Sequence, residues 1–175
     1  MSCIYRCMHN NNITLWIQKT IESSKTDWMV LTLRIDGMLV NASGVAQSPW
    51  NISCAGGLSK VESSLNWTLG MLRRTRKQEI RFAGYHGGDY AKGIQSHIHA
   101  ICEIPSNSTH TELIESLRLY WQHSVERRFK VYLPTSVYQD KLMSGNEYLR
   151  YISRYEGKMF GYGDSKLILN RSFNF

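Results

Sequence analysis

The chain has 175 residues, 42% of them hydrophobic, and 21 Lys and Arg against 14 Asp and Glu give it a net charge of +7. That length suits one domain with a proper core and is short for two, and no run approaches 18 apolar residues, so no membrane-spanning helix is expected. The basic balance, with a pI near 9.3, favours a polyanionic partner, because displacing counterions from phosphates drives association.

Residues 1–12 read as a loose start. They hold no apolar h-region, so no secretory signal is expected and the cytoplasm is the expected compartment. Cys3 and Cys7 with His9 invite comparison with a zinc site, but no second cysteine pair completes four ligands, and reduced thiols are the expectation for all four cysteines. Ile13, Ile17 and Ile21 at spacing four predict a short amphipathic helix to Ser24. Trp28 to Ile35 alternates as a central strand, with Met29, Leu31, Leu33 and Ile35 on one face and Thr32, Arg34 and Asp36 on the other. Gly37 to Gly57 is irregular and reads as a long loop of functional character. Ser59 with Glu62 forms a capping-box pattern for a helix carrying Val61, Leu65, Leu69 and Leu72 inward to about Arg76. Arg73, Arg74, Arg76 and Lys77 crowd its end, either complementing the helix dipole or contacting phosphates.

Glu79 to His86 reads as a strand, followed by a glycine-rich turn (Gly87, Gly88, Gly93) and a second strand, Ser96 to Pro105. In that second strand Ile98, Ala100, Cys102 and Ile104 share a core face. His97, His99, Ile101 and Glu103 share the other, with the two histidines about 7 Å apart along the strand. Two imidazoles on one face of a rigid strand can grip one metal ion; the alternative is a chance pair on a solvated face. Thr109 with Glu112 caps a helix to about Arg128. Phe129 to Leu133 reads as a further strand, Asn146 to Lys158 as a helix with Tyr148, Tyr151 and Tyr155 on one face, and 159–175 as a looser tail ending in an edge strand. Helices mixed with hairpin-connected strands predict an α+β fold, a mainly antiparallel central sheet with helices packed on it.

Three blocks occur in a fixed order: Val30-Leu31-Thr32-Leu33, then His97-Ile98-His99, then Tyr151 to Lys158, reading YISRYEGK. This order resembles the HUH endonuclease superfamily and its rolling-circle replication initiators over residues 28–158. The LTLRID strand and FGYGDSK tail look more like initiators of filamentous phages and prophages than like plasmid relaxases. The resemblance implies an RRM- or palm-like sheet and a metal-dependent enzyme that nicks and rejoins single-stranded DNA through a covalent 5′-phosphotyrosine. It implies His97 and His99 as ligands for Mn²⁺ or Mg²⁺. His86 stands eleven residues before His97, where the family often has Glu, and is the third-ligand candidate, with Asp89 and Glu103 behind it. Tyr151 is the implied nucleophile, Tyr155 a second one, and Lys158 a partner for the phosphate or leaving oxygen. Arg154 stands where the family usually has Lys, and a guanidinium is not a point charge. DNA contacts fall to Arg154 and the Arg73, Arg74, Arg76 and Lys77 cluster.

The chemistry asks for such residues: conserving the phosphodiester bond energy needs a covalent nucleophile, and a cation must polarise the phosphate. Single-stranded origin DNA is the implied partner, with a host helicase because no P-loop occurs in the chain. Three alternatives stand beside this. One is a non-catalytic single-stranded nucleic-acid-binding domain, stacking bases on Trp50, Trp67 or tyrosines. Another is a transposase or relaxase of the same superfamily. The third is a metal-dependent hydrolase unrelated to DNA.

Overall fold

A computed structural model describes residues 10–50, 56–89, 94–139, 159–160, 163–164 and 167–169. The element order is α1 (Asn10–Ser23), β1 (Trp28–Ile35), β2 (Leu39–Val40), β3 (Ala46–Gln47), α2 (Gly57–Arg76), β4 (Phe82–Asp89), β5 (Ile94–Glu103), α3 (His110–Phe129), β6 (Thr135–Gln139), β7 (Met159–Phe160), β8 (Gly163–Asp164) and β9 (Leu167–Leu169). The expected α+β class holds. Five strands form one antiparallel sheet in the order β6-β1-β5-β4-β9. Within it, β1-α2-β4-β5-α3-β6 is a split βαβ arrangement, in which each helical crossover returns the chain past a central strand. The tail supplies the edge strand β9 against β4.

The core lies between one sheet face and helices α2 and α3. Met29, Leu31, Leu33 and Ile35 from β1 meet Ile98, Ala100 and Cys102 from β5, with Val61, Leu65, Leu69 and Leu72 above them from α2. These are the residues whose spacing marks them as inward-facing, and burying them is the main favourable term in folding. Ser64 and Ser124 let the two helices approach closely. Each donates its hydroxyl to the other's backbone carbonyl, at 3.4 and 3.1 Å. The second sheet face is covered as well, since Val30, Ala83 and Ile101 are buried outside that core, as is Ile17 of α1.

Three local expectations are corrected. The strand expected at Phe129 to Leu133 is the end of α3 and its exit. Phe129 is buried in the helix, Lys130 closes it in a left-handed conformation, and β6 starts only at Thr135. Gln122 fixes this exit, donating to the Leu133 carbonyl at 3.0 Å and accepting from the Thr135 backbone N–H at 3.0 Å. Helix α2 begins at Gly57, ahead of Ser59, and has no side-chain cap; Gly56 enters it at φ 75°, a conformation natural to glycine. The long loop contains a small hairpin, β2–β3, whose turn Asn41 holds by accepting from the Ser43 and Val45 backbone N–H groups. The predicted Thr109–Glu112 capping box is present. Among the described residues no helix is long and apolar enough to cross a membrane.

Candidate metal centre

Strand β5 sits between β1 and β4, so its side chains are aimed by pairing on both edges. The register sets His97 opposite Arg34 and Gly87, and His99 opposite Thr32 and Tyr85. Directly paired residues of antiparallel strands point to the same face. Thr32, Arg34, His97 and His99 therefore form one patch, with Tyr85 and Tyr138 at positions in the same row.

Within this patch the two imidazoles lean together. Their ring centroids are 4.3 Å apart and nearly perpendicular, and the two Nε2 atoms are 2.8 Å apart. Both rings are 8% exposed, so the pair does not stand on a solvated face. The Nδ1 of His99 lies 2.9 Å from the hydroxyl of Thr32. Next to the pair, Arg34 is bound to Asp36 at 3.2 Å, and Ser136 donates to Asp36 at 2.7 Å. The carbonyl of Arg34 accepts from the indole of buried Trp121 at 2.9 Å, which ties β1 to α3 beside the site. Tyr138 on β6, opposite Thr32, is 48% exposed and presents its ring on the same face. The pairing register of β4 on β5 shifts between Gly87 and Asp89, beside His97; such irregularities can re-aim a strand locally.

The other expected site residues are placed differently. His86 pairs with Ile98 and so points to the opposite face, where its ring meets Trp50 edge-on at 5.3 Å. It cannot join His97 and His99 as a third ligand, because strand alternation sends neighbouring positions to opposite sides. Glu103 shares the histidine face, but four residues from His99 it is about 13 Å along the strand. Its carboxylate is committed to Arg81 at 2.7 Å and Thr26 at 2.8 Å. Asp89 has a described backbone, opposite Ile94. Among the described residues no group of three His, Cys, Asp or Glu side chains converges to hold an ion.

The basic cluster stands on the last turn of α2, in the helix layer on the far face from the histidines. Arg76 braces α3 by donating to the Glu112 carbonyl and the Ser116 hydroxyl, and Arg73 pairs with Glu79 at 3.3 Å. Arg74 and Lys77 are exposed there. Trp50, expected as a stacking surface, is 2% exposed and part of the core, while Trp67 packs against Tyr120 and His123. Tyr151, Arg154, Tyr155 and Lys158 lie outside the described residues, as do Cys3, Cys7, His9 and the helix expected at 146–158.

No family model, curated protein or solved structure matches this chain. The reading of the site thus rests on the histidine pair and its neighbours. Thr32 and Arg34 could be assigned from sequence to one face of their strand, but the partner strand and its register could not. Tyr138 gave no signal, since the strand carrying it was expected six residues earlier.

Proposed function

We propose that this chain is a divalent-metal-dependent endonuclease that nicks and rejoins single-stranded DNA at a specific site, starting rolling-circle replication in the cytoplasm of its host cell. A replication origin and a host helicase are its partners in this reading. The observation that carries it is the convergence of the His97 and His99 Nε2 atoms on one point of a sheet face. At the zinc–imidazole distance of about 2.0–2.1 Å, two nitrogens on one ion stand roughly 2.9 Å apart at a right angle and roughly 3.3 Å apart at a tetrahedral one. The observed 2.8 Å separation is close to the first value, and the longer bonds of Mn²⁺ would ask the two rings to part slightly as they take up cis positions on the ion.

His97 and His99 would hold Mn²⁺ or Mg²⁺ through Nε2, and such an ion polarises a scissile phosphate. The chain's own groups do the rest. Arg34 offers a planar guanidinium to a phosphate oxygen beside the pair, and Tyr138 offers a ring to a nucleobase. Tyr151, taken from the resemblance, attacks phosphorus with its phenolic oxygen after losing its proton. The 3′ oxygen leaves and takes up a proton, so one phosphodiester bond replaces another and reversal rejoins the strand. Tyr155 serves a second exchange, and Lys158 accompanies the phosphate.

The test is incubation of the purified chain with Mn²⁺ and a pool of single-stranded oligonucleotides, read on a denaturing gel. A covalent protein–DNA adduct is expected. It should vanish in Tyr151→Phe, in His97→Ala and on chelation. Absence of any adduct, with Tyr151→Phe indistinguishable from the parent, removes the nicking activity. Cleavage that survives loss of both Tyr151 and Tyr155 points to a hydrolase instead. Tyr138, half exposed beside Arg34, favours a second reading as a non-catalytic single-strand platform, which predicts binding that is indifferent to metal.

A further inference from the structure

We infer that Thr32 is a positioning residue that presets the ligating tautomer of His99; this rests on reading the histidine pair as a metal centre. A neutral imidazole carries one proton, and whichever nitrogen holds it cannot ligate. For His99 to offer the Nε2 lone pair, its proton must sit on Nδ1. The group facing Nδ1 is the Thr32 hydroxyl, 2.9 Å away on the neighbouring strand and buried with it. A hydroxyl can donate or accept; in the ligating tautomer it accepts the Nδ1–H and holds the ring plane at this 2.9 Å contact.

The same geometry makes the two histidines unequal. Their Nε2 atoms are 2.8 Å apart, a hydrogen-bond distance, and such a bond needs one donor and one acceptor. With His99 Nε2 set as the acceptor, His97 Nε2 is the donor. His99 is thus ready for an ion, while His97 must shift its proton away from Nε2 before it can ligate. Thr32 occupies this place because β1 pairs with β5 in a register that sets it directly across from His99. Its β-branched side chain is also well suited to a strand.

The experiment compares the parent chain with Thr32→Val, Thr32→Ser and His99→Ala. Two quantities are read: Mn²⁺ affinity by calorimetry, and the tautomer of His99 by long-range ¹H–¹⁵N correlation of the metal-free protein. In the parent, His99 is expected as the Nδ1–H form. Thr32→Val should lose that preference and bind Mn²⁺ roughly 10- to 100-fold more weakly, the usual cost of removing a group that orients a ligand. Thr32→Ser, which keeps the hydroxyl, should stay close to the parent. Thr32→Ala makes the same comparison if Thr32→Val does not fold. If His99→Ala abolishes Mn²⁺ binding while Thr32→Val binds like the parent, or if parent His99 carries its proton on Nε2, the role of Thr32 is overturned and the metal centre stands. If the parent does not bind Mn²⁺, or His99→Ala binds as well as the parent, both fall together.

Discussion

Glu103 and His99 share a face of β5, yet their surroundings give them opposite uses. Glu103 is 5% exposed. Its carboxylate accepts from Arg81 through Nε, Nη2 and the backbone N–H, and from the Thr26 hydroxyl. Arg81 in turn donates to Ser24 and stacks over Trp28. The network fastens the segment between α1 and β1 to the far end of the histidine strand. Burial alone would raise the Glu103 carboxyl above its ordinary value, but the hydrogen bonds from Arg81 and Thr26 and the Arg81 charge outweigh it and hold it lower. A carboxyl depressed in the folded state contributes stability that is present above its unfolded value, about 4.3, and is lost as pH falls through the folded value. Glu103→Gln should therefore cost roughly 2 kcal/mol at neutral pH. It should also flatten the fall in stability below about pH 4.3, measured as the urea midpoint against pH; an unchanged acid profile would remove Glu103 from that role.

At the scale of elements, the close approach of β4 to β5 fixes how tightly the histidine strand is held. Gly84 lies opposite Ala100. A Cβ placed there would stand 2.9 Å from the His99 carbonyl oxygen and 3.1 Å from Ala100 and Ile98 side-chain atoms. Since the nearest of these is backbone, a side chain can enter only by pushing the histidine strand. Gly84→Ala is expected to destabilise by about 1–3 kcal/mol, the usual range for overpacking. The urea midpoint should fall with little change in slope, and an unaltered midpoint would show that the strands separate freely. Gly37 is a parallel case at the exit of β1. A Cβ there would meet Leu133 and Pro134 at 2.9 Å, where the Asp36 backbone N–H donates to the Pro134 carbonyl.

For the molecule as a whole, Cys102 reports how far the core must open. Its side chain shares the inward face with Ile98 and Ala100 and is fully buried. Burial first, and then the negative Glu103 beside it, push its thiol far above the ordinary range. A thiolate is the reactive form, so alkylation of Cys102 should proceed only through opening of the sheet-on-helix core, at a rate that follows global stability. Peptide mass spectrometry after iodoacetamide treatment should show Cys102 protected in native buffer and labelled readily near the urea midpoint. Fast labelling in native buffer would mean that this core opens locally.

Much of this architecture was legible in the chain. The alternation of Met29 to Ile35 and of Ile98 to Ile104, the helical spacing of Val61 to Leu72 and the Thr109–Glu112 cap are local patterns. They need only the periods of strand and helix, so the sequence by itself determined the α+β class, the inward faces and the placing of two histidines together on the face opposite that core. What needed the tertiary structure was the relation between elements. Residues 129–133 are apolar and β-prone enough to read as a strand, but the packing of Phe129 and the grip of Gln122 on Leu133 and Thr135 keep them in the end and exit of α3. His86 is one hairpin away from His97, yet register sends it to Trp50. Arg76 lies in a basic run, yet it reaches α3. Thr32 acquires its meaning only because β1 pairs with β5 in one register among several, which is set by which hydrophobic faces must be buried together. Alternation decides the side of a strand on which a residue stands; only the pairing of strands decides what it meets there.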